Sequence, residues 1–382
     1  MSGSTLEFSD EQLAFRDAIR DFARRECGTR EQRDRLTDGG EEVHSGELYA
    51  KLTELGWNAG LAVPEEYGGG GGSTVDMCIL MEEAMRGLLP IKGIATTIIV
   101  AGPYERFARE EQKREILGGI VAGAIESVAI SEPEAGSDAG GISCRAVRDG
   151  DRWVVNGQKT WCSHANYADH ILLVARTDPD GDRHHGLTML NVPAGTAGLE
   201  VRPIPTLAGR EVNDLYFTDC RLPADAVVGE VDRAWPQLMA GLNGERVVLA
   251  ATLLGIAERA MDDLLAYVKE RRQFGQSIGS FQALRHRIAD LATEIECARL
   301  LTYEVARRVD AGHRDRRDAS MAKLKATEVA KQVTLEGMQM MGGYGYAKEY
   351  DMEHLVRFSL ASTIYGGSSE IQREIIGKTL GL

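Results

Sequence analysis

The chain contains 382 residues, a length that predicts two or three packed domains with room for a large bound molecule. Aspartate and glutamate number 58 against 44 lysines and arginines, so the formal net charge is -14 at pH 7. A surface with this charge repels phosphate backbones and anionic headgroups, which excludes nucleic acids and membrane surfaces as expected partners.

Cysteine spacing and hydropathy indicate the cellular compartment in which we expect the protein. The cysteines are scattered without CxxC or metal-ligand spacing, and we expect them to be reduced and mostly structural: Cys27, Cys78, Cys144, Cys162, Cys220 and Cys297. The start of the chain has neither a basic region nor an apolar core, so no signal or transit peptide is predicted. The longest apolar run, residues 247–257, is too short to cross a bilayer. We therefore expect a soluble cytoplasmic protein.

The first third of the chain is predicted to be helical. Between residues 9 and 117, apolar residues recur at helical spacing, as in Leu48, Leu52 and Leu55. Consecutive glycines at 68–72 interrupt this pattern. No Lys-Ser or Lys-Thr pair follows them and no strand precedes them, so a flexible connection between helices is favoured over a phosphate-binding loop.

Residues 126–231 are predicted to form β structure. Short β-branched and aromatic runs, such as those that begin at Trp153, Ile171 and Leu215, alternate with turn sequences that contain Asp-Gly, Asn-Gly or proline. This pattern indicates an antiparallel β domain.

Long helical patterns return after Trp235-Pro236, where proline suits a first helical turn. They cover residues 237–273, 281–311 and 319–341, and a last helix begins near Ser368. The predicted fold class is therefore α+β and mostly α, with three domains. These are an N-terminal helical domain at 1–122, a middle antiparallel β domain at 123–233 and a C-terminal four-helix bundle at 234–382.

Two segments of the β region have sequences suited to binding. Residues 128–138 combine small residues and two serines with a proline turn, so their backbone can approach a ligand closely, although a capped surface turn has the same composition. Asn156-Gly157 is predicted to form a hairpin turn before a strand that carries Trp161 and Ser163. Alternation places these two side chains on one face and Cys162 on the opposite, packed face.

Together with residues 271–282, 339–345 and 364–373, these segments resemble the acyl-CoA dehydrogenases. The resemblance extends from Phe8 to the C-terminus, and residues 128–138 match the first family motif almost residue for residue. It implies a helical, a β and a helical-bundle domain in that order. It also implies FAD as the cofactor and an acyl-CoA as the substrate.

The resemblance implies contacts to one FAD from the β domain. Ser131 and the backbone of Ile130 contact the flavin ring system, and Ser137 lies beside the diphosphate and the acyl-CoA. Trp161 covers one face of the ring, and Ser163 hydrogen-bonds near its N5. An isolated tryptophan on a strand is more often a core residue, so this assignment depends on both motifs together.

Further residues are implied to reach the FAD of a neighbouring subunit, so a homodimer or homotetramer is expected. They are Arg271, Gln273, Phe281, Gln282, Gln339, Gly342 and Gly343. Ser368 and Glu370, in the C-terminal loop, are also implied to bind the cofactor. Taken alone, Arg271 is also typical of the basic end of a helix, and Gly342-Gly343 is also typical of a helix stop.

The catalytic base is the most informative feature of the resemblance. Many family members place their catalytic glutamate where Gly366 stands, whereas the isovaleryl- and long-chain branches keep it at the position of Glu245. We predict that Glu245 removes the α proton and that the backbone N–H of Gly366 donates to the thioester carbonyl. Arg246 and Tyr365 are expected to bind the substrate. Without the resemblance, Glu245 is more simply interpreted as a solvated carboxylate at a helix terminus or as a partner of Arg246.

Some residues depart from the family pattern. His354 stands where lysine or arginine is usual, and Phe358 stands where an acidic residue usually follows the residue equivalent to Arg357, so the resemblance does not predict the local ion pairing. His184-His185 lies in a polar turn with no nearby third ligand, and no metal site is predicted there.

The sequence therefore predicts an FAD-dependent acyl-CoA dehydrogenase that acts in fatty acid β-oxidation and passes electrons to an electron-transfer flavoprotein. Two alternatives remain open. One is a flavin-dependent oxidase or monooxygenase on the same fold with a non-CoA substrate. The other is a non-catalytic subunit of a hetero-oligomer, which would not need to retain Glu245.

Overall fold

A computed structural model describes residues 6–181, 183–313 and 315–382, and only the backbone of 240–243. In these ranges the helices are α1 (Asp10–Cys27), α2 (Arg30–Leu36), α3 (Gly46–Glu54), α4 (Thr74–Arg86), α5 (Gly93–Phe107), α6 (Glu110–Val121), α7 (Ala234–Glu270), α8 (Gln282–Asp310), α9 (Arg316–Met341), α10 (Gly343–Tyr346), α11 (Met352–Ser362) and α12 (Ser369–Thr379). The strands are β1 (Glu126–Ala129), β2 (Arg145–Asp149), β3 (Arg152–Ser163), β4 (His170–Arg176), β5 (Leu187–Pro193), β6 (Leu199–Thr206), β7 (Gly209–Pro223), β8 (Val227–Val228), β9 (Arg272–Gln273) and β10 (Gln276–Ser277).

The order of helices, strands and helices is the predicted one, which confirms the fold class. The chain divides into two compact units. The helical unit comprises Met1–Arg33, Ser73–Leu89 and Arg246–Leu382, and the sheet unit comprises Asp34–Gly72 and Pro90–Glu245. The predicted domain boundaries after residues 122 and 233 stay predictions. Each helix in the described ranges is too short or too polar to cross a bilayer.

Local sequence explains where the helices of the helical unit begin and end. The Ser9 hydroxyl accepts a hydrogen bond from the N–H of Gln12, and the side-chain oxygen of Gln12 accepts one from the N–H of Ser9, so α1 starts with a capping box. Asp315 caps α9 by accepting from the N–H of Arg317 at 2.8 Å. The same helix stops at Gly342, whose φ of 63° suits glycine and ends the helical hydrogen bonding.

The sheet unit is built on an eight-stranded sheet with the order β6-β7-β3-β2-β4-β5-β8, and β1 pairs with β4. Most pairs are antiparallel, as predicted, but β1–β4 and the short β2–β4 contact are parallel. One buried cluster of the unit includes Trp153, Cys162 and Phe217. A second joins strand residues such as Leu172 to residues of α5 and α6 such as Tyr104. One face of β4 and β5 is thus covered by helices.

The predicted hairpin turn at Asn156-Gly157 is wrong, because both residues lie inside β3. The β2–β3 hairpin instead turns at Gly150, which has a φ of 61°. Gly157 has a φ of 145° at a bulge, and a Cβ built there would lie 2.7 Å from the Cα of Cys144. Glycine is needed for this close approach of two strands, and Asn-Gly gives the same sequence signal for a bulge as for a turn.

The glycine run at 68–72 is ordered, contrary to the predicted flexible connection. The N–H groups of Gly70 and Gly72 donate to the carbonyls of Gly60 and Leu61 at 3.0 and 2.8 Å. A Cβ on Gly69 would lie 2.1 Å from the Val63 carbonyl oxygen. The glycines therefore allow two backbone segments to pack directly against each other.

Two differences from prediction concern the C-terminal helices. Helix α7 ends at Glu270 because the chain then turns into β9–β10 through Phe274 and Gly275, both with positive φ. Helix α11 was missed, since Asp351 gives it no side-chain cap. Within α11, Arg357 pairs with Glu353 at 2.8 Å, so this arginine keeps an ion-pair partner although Phe358 replaces the usual acid.

Two buried histidines lie in the sheet unit. The imidazole Nδ1 of His44 accepts from the N–H of Gly93 at 3.4 Å, and that of His164 lies 3.2 Å from the hydroxyl of Thr96. Burial, with a smaller effect of the His164 charge, lowers the pKa of His44 to about 3. Burial also lowers the pKa of His164 to about 4. Both imidazoles are therefore neutral in the folded protein at neutral pH.

We expect these imidazoles to make the fold sensitive to acid. The unfolded chain takes up protons below the ordinary histidine pKa of 6.5, whereas the folded protein does not until pH 3–4. Their contribution to stability is thus complete above pH 6.5 and is lost as the pH falls through the folded values. The loss should be on the order of 2 kcal/mol per histidine between pH 7 and 5. Urea denaturation at both pH values measures it.

The comparison of stability at pH 7 and pH 5 needs variants, because the Glu126 carboxyl changes the stability in the opposite direction. Burial raises the pKa of its carboxyl to about 7, so the folded state gains stability from this group as the pH falls. His44→Gln should have a smaller pH dependence than the wild type, while His313→Gln, at an exposed position, should match the wild type. Equal pH dependence of all three proteins would contradict the prediction.

Candidate active site

The loop after β1 carries the first predicted cofactor residues. Ile130 and Ser131 are half-buried, and Ser137 is exposed. The Ser131 carbonyl accepts from the N–H of Thr160 at 2.9 Å, which ties this loop to β3. The structure therefore places the predicted flavin-contacting residues of both β-domain motifs side by side within the sheet unit.

A buried ion pair fixes this loop, and sequence analysis missed it. Lys159 is 0% exposed, and its ammonium donates to the Ile130 carbonyl at 2.9 Å and to the Glu132 carboxylate at 2.7 Å. The Glu132 carboxylate also accepts from the N–H groups of Ser143 and Cys144 at 2.8 and 2.9 Å. The backbone of Ile130 is thus held by a chain of charge-assisted hydrogen bonds.

The electrostatics of this pair favour the charged form of the Glu132 carboxylate, whereas burial lowers the pKa of the Lys159 ammonium from its ordinary value. Burial alone would raise the pKa of the Glu132 carboxyl, but the charge and hydrogen bond of Lys159 and the hydrogen bonds from Ser143 outweigh burial, so the pKa lies below its ordinary value. The sequence signal for the pair was present, since Glu132 and Lys159 each lie inside a recognised motif. Nothing in the sequence, however, showed that the two side chains meet.

Trp161 stands out on β3. Its φ is 59°, at an irregularity between Lys159 and Cys162, and its side chain is 60% exposed. Regular alternation therefore does not apply at this residue, although Cys162 is buried in the sheet core as predicted. Ser163 is half-buried, and its carbonyl accepts from the hydroxyl of Ser127 at 2.7 Å. A strained, exposed indole is suited to cover a flat aromatic ligand.

The helical unit contains a groove with a volume of about 620 Å³. The groove brings together five of the residues predicted to serve a neighbouring subunit: Arg271, Gln273, Phe281, Gly342 and Gly343. The Arg271 guanidinium lies 5.3 Å from the ring centroid of Tyr344, a cation–π contact that orients it at the groove wall. Gln282 and Gln339 are exposed at the flanking helix ends and do not line the groove.

The C-terminal loop joins α11 to α12. Gly366 and Gly367 have φ values of 61° and 81°, a conformation that costs other residues free energy. The Ser368 hydroxyl caps α12 by accepting from the N–H of Ile371 at 3.4 Å, and Glu370 is exposed in the first turn. The Tyr365 ring centroid lies 5.9 Å from the ammonium of Lys323.

Glu245 lies inside α7. This position excludes the interpretation of Glu245 as a solvated carboxylate at a helix terminus. It is half-buried, and the adjacent Arg246 is 7% exposed. The following turn, from Val247 to Ala250, is apolar and buried. Glu245 belongs to the sheet unit and Gly366 to the helical unit. Their cooperation in one site stays a prediction.

The structure has helices, then a β domain and then a helical bundle, with an exposed indole beside a rigid loop, which agrees with the flavoprotein dehydrogenase that the sequence predicts. Family models of the acyl-CoA dehydrogenase N-terminal, middle and C-terminal domains match residues 9–124, 127–220 and 232–381. The chain belongs to the acyl-CoA dehydrogenase family.

Individual relatives agree over nearly the whole length. A probable acyl-CoA dehydrogenase of Bacillus subtilis is 36% identical over 98% of this chain and 99% of its own. A subunit of the caffeyl-CoA reductase–Etf complex of Acetobacterium woodii is 34% identical over 98% of this chain and 99% of its own. The crystal structure of an acyl-CoA dehydrogenase from Geobacillus kaustophilus has a TM-score of 0.92 at 33% identity and covers all of both chains.

The protein is therefore an oxidoreductase of this family, with FAD as its cofactor. The residues present fit that cofactor. Trp161 offers an exposed aromatic face, the Ile130–Ser131 backbone is rigidly held beside it, and Arg271 offers a charge for a diphosphate. No group of histidine, cysteine and acidic residues in the described ranges could hold a metal ion.

Proposed function

We propose that the protein oxidises an acyl-CoA thioester between its α and β carbons to the trans-2-enoyl-CoA, with Glu245 as the base. The observation that carries this proposal is the half-buried position of Glu245 beside a buried apolar turn, together with a glycine at position 366. The loop position has no side chain that could act as a base. The only carboxylate at a position used by the family is then Glu245.

Each residue has a distinct task in this proposal. Glu245 takes the α proton, and the buried residues that follow it keep water away from the carboxylate. The N–H of Gly366 donates to the thioester carbonyl, whose oxygen gains negative charge as the proton leaves. Arg246 holds the base and the substrate in place, and Tyr365 binds the substrate. When bound, FAD supplies the acceptor for the hydride from the β carbon.

We further propose that an electron-transfer flavoprotein receives the electrons. This assignment is supported by the relative from Acetobacterium woodii, whose name places it in a complex with Etf. We also propose that the reaction belongs to fatty acid β-oxidation and takes place in the cytoplasm.

A panel of acyl-CoA thioesters tests the proposed function. Under anaerobic conditions, at least one thioester should bleach the flavin, and mass spectrometry should find a product two hydrogens lighter. An artificial dye should then re-oxidise the flavin and sustain turnover. The proposal fails if no acyl-CoA bleaches the flavin, or if the protein makes peroxide from a non-CoA substrate.

We also propose that the Arg271 groove serves the FAD of a neighbouring subunit in a homodimer or homotetramer. Arg271→Ala should weaken FAD binding by about 10- to 100-fold, because a charge-assisted contact to a diphosphate contributes about 1.5 to 3 kcal/mol. FAD retained after ultrafiltration at several protein concentrations measures the change.

Arg272→Ala is the matched control, since Arg272 donates to the Gly275 carbonyl and does not line the groove. It should retain FAD like the wild type. A fully flavinated monomer in sedimentation experiments would show that no neighbouring subunit is needed.

A further inference from the structure

Lys323 lies in α9 with a fully buried side chain, at 0% exposure. Its ammonium donates to the carbonyl oxygens of Ser362 and Gly367, each at 2.9 Å. These carbonyls stand at the two ends of the loop that joins α11 to α12. A single buried cation therefore bridges the loop that contains Gly366.

A second side chain completes this attachment. Gln372, also 0% exposed, donates from Nε2 to the carbonyls of Gly366 and Gly367 at 3.0 and 2.9 Å. The peptide groups after Gly366 are thus fixed by Lys323 and Gln372. Because the φ of Gly366 is 61° in this arrangement, the direction of its N–H is fixed as well. Glycine is otherwise the residue with the greatest backbone freedom.

The charge of Lys323 adds an electrostatic effect. An ammonium buried in a protein requires hydrogen-bond acceptors, and the two loop carbonyls meet this need. In surroundings of low dielectric constant, a buried positive charge also stabilises negative charge that develops beside the loop. The loop is therefore both held in position and placed in a positive potential.

We propose that Lys323 is a positioning residue of the dehydrogenation. It holds the loop so that the N–H of Gly366 points at the thioester carbonyl oxygen while that oxygen becomes an enolate. Lys323 acts through the Ser362 and Gly367 carbonyls and does not touch the substrate. This inference rests on the proposed function, which assigns the Gly366 N–H as the donor.

Lys323→Met tests the inference by removing the ammonium and keeping most of the aliphatic side chain. Flavin reduction by a good acyl-CoA substrate should fall by about 100-fold, the scale of a lost oxyanion donor. Exchange of the substrate α protons with D2O, followed by mass spectrometry, should fall in parallel, because it reports enolate formation. The acyl-CoA Kd and the FAD content should change by less than about 3-fold.

Lys325→Met is the matched control, since Lys325 lies on the same helix, is half-exposed and pairs with Glu294. It should match the wild type in all four measurements. Lys323→Gln keeps hydrogen-bond donors without the charge, and it should recover at least about 10-fold of the exchange rate lost in Lys323→Met. Equal losses in both Lys323 variants would overturn the positioning role.

Parallel measurements on Glu245→Gln separate this inference from the proposed function. Wild-type rates in Glu245→Gln would reject Glu245 as the base of the proposed function, and failure of every acyl-CoA to bleach the wild-type flavin would reject the function itself. Wild-type reduction and exchange in Lys323→Met, with Glu245→Gln inactive, would overturn only the role of Lys323. If both Lys323 variants fail to fold, Gln372→Met tests the same attachment. Gln372→Met should lose the exchange of the substrate α protons with D2O, while its acyl-CoA Kd stays unchanged. Exchange at the wild-type rate in this variant would overturn the inference.

Discussion

Glu245→Gln is expected to lower the rate of flavin reduction by acyl-CoA by about 100-fold or more. Glutamine keeps the shape of the side chain and its hydrogen-bonding capacity but cannot accept the α proton. The residue lies within α7, away from the helix ends, so the substitution should not disturb the helix. Anaerobic stopped-flow absorbance of the flavin measures the rate directly.

Binding should persist without turnover in this variant. FAD content and acyl-CoA Kd should remain close to wild type, because the proposal gives the carboxylate a role in proton transfer and not in holding either molecule. Glu270→Gln is the control, since Glu270 is the exposed last residue of the same helix. A wild-type rate in Glu245→Gln with every acyl-CoA that the wild type oxidises would show that Glu245 is not the base.

The sequence predicted the succession of helical, β and helical regions, because apolar periodicity is a local property that packing preserves. Prediction was weaker where one signal has two structural meanings. Asn156-Gly157 was assigned to a turn, but a glycine at a strand bulge produces the same dipeptide. Helix α11 was missed because it lacks the side-chain cap that marks the start of α1.

The candidate site also contains some residues that the sequence predicts and others that it does not. Trp161, Arg271 and Gly366 were recognised from motifs, and the structure shows an exposed indole, a groove and a left-handed loop at these positions. No sequence pattern marks Lys159 or Lys323 as a residue that holds a loop. Each binds backbone carbonyls that are distant in sequence, and a carbonyl acceptor has no residue-type signature. Their role could be found only once the chain was folded.

Lys159→Met is expected to destabilise the protein by about 3–5 kcal/mol at pH 7, because it leaves the Glu132 carboxylate buried without its cationic partner. Glu132 is 5% exposed, so water cannot replace the lost charge. The Ile130 carbonyl loses its donor at the same time. FAD binding should therefore weaken together with the free energy of unfolding, which urea denaturation of the apoprotein measures separately.

Two controls define the origin of this loss. Lys51→Met removes a half-exposed lysine whose partner is Glu47, and it should cost less than about 1 kcal/mol. In the double variant Lys159→Met/Glu132→Gln no charge is buried, so its loss should be smaller than the sum of the two single losses. Additive losses would show that the two side chains do not stabilise each other.

The pH dependence gives the sharpest form of this prediction. In the wild type, Lys159 keeps the pKa of Glu132 below its ordinary value, so the pair stabilises the fold above that ordinary value and loses its effect as the pH falls through the folded value. In Lys159→Met, burial is no longer opposed by the ammonium, and the Glu132 carboxyl should bind a proton more readily in the folded than in the unfolded chain. Acid then stabilises the variant relative to the wild type. The difference in unfolding free energy should accordingly be largest near pH 7 and shrink as the pH falls towards 4, and a constant difference would contradict an electrostatic origin.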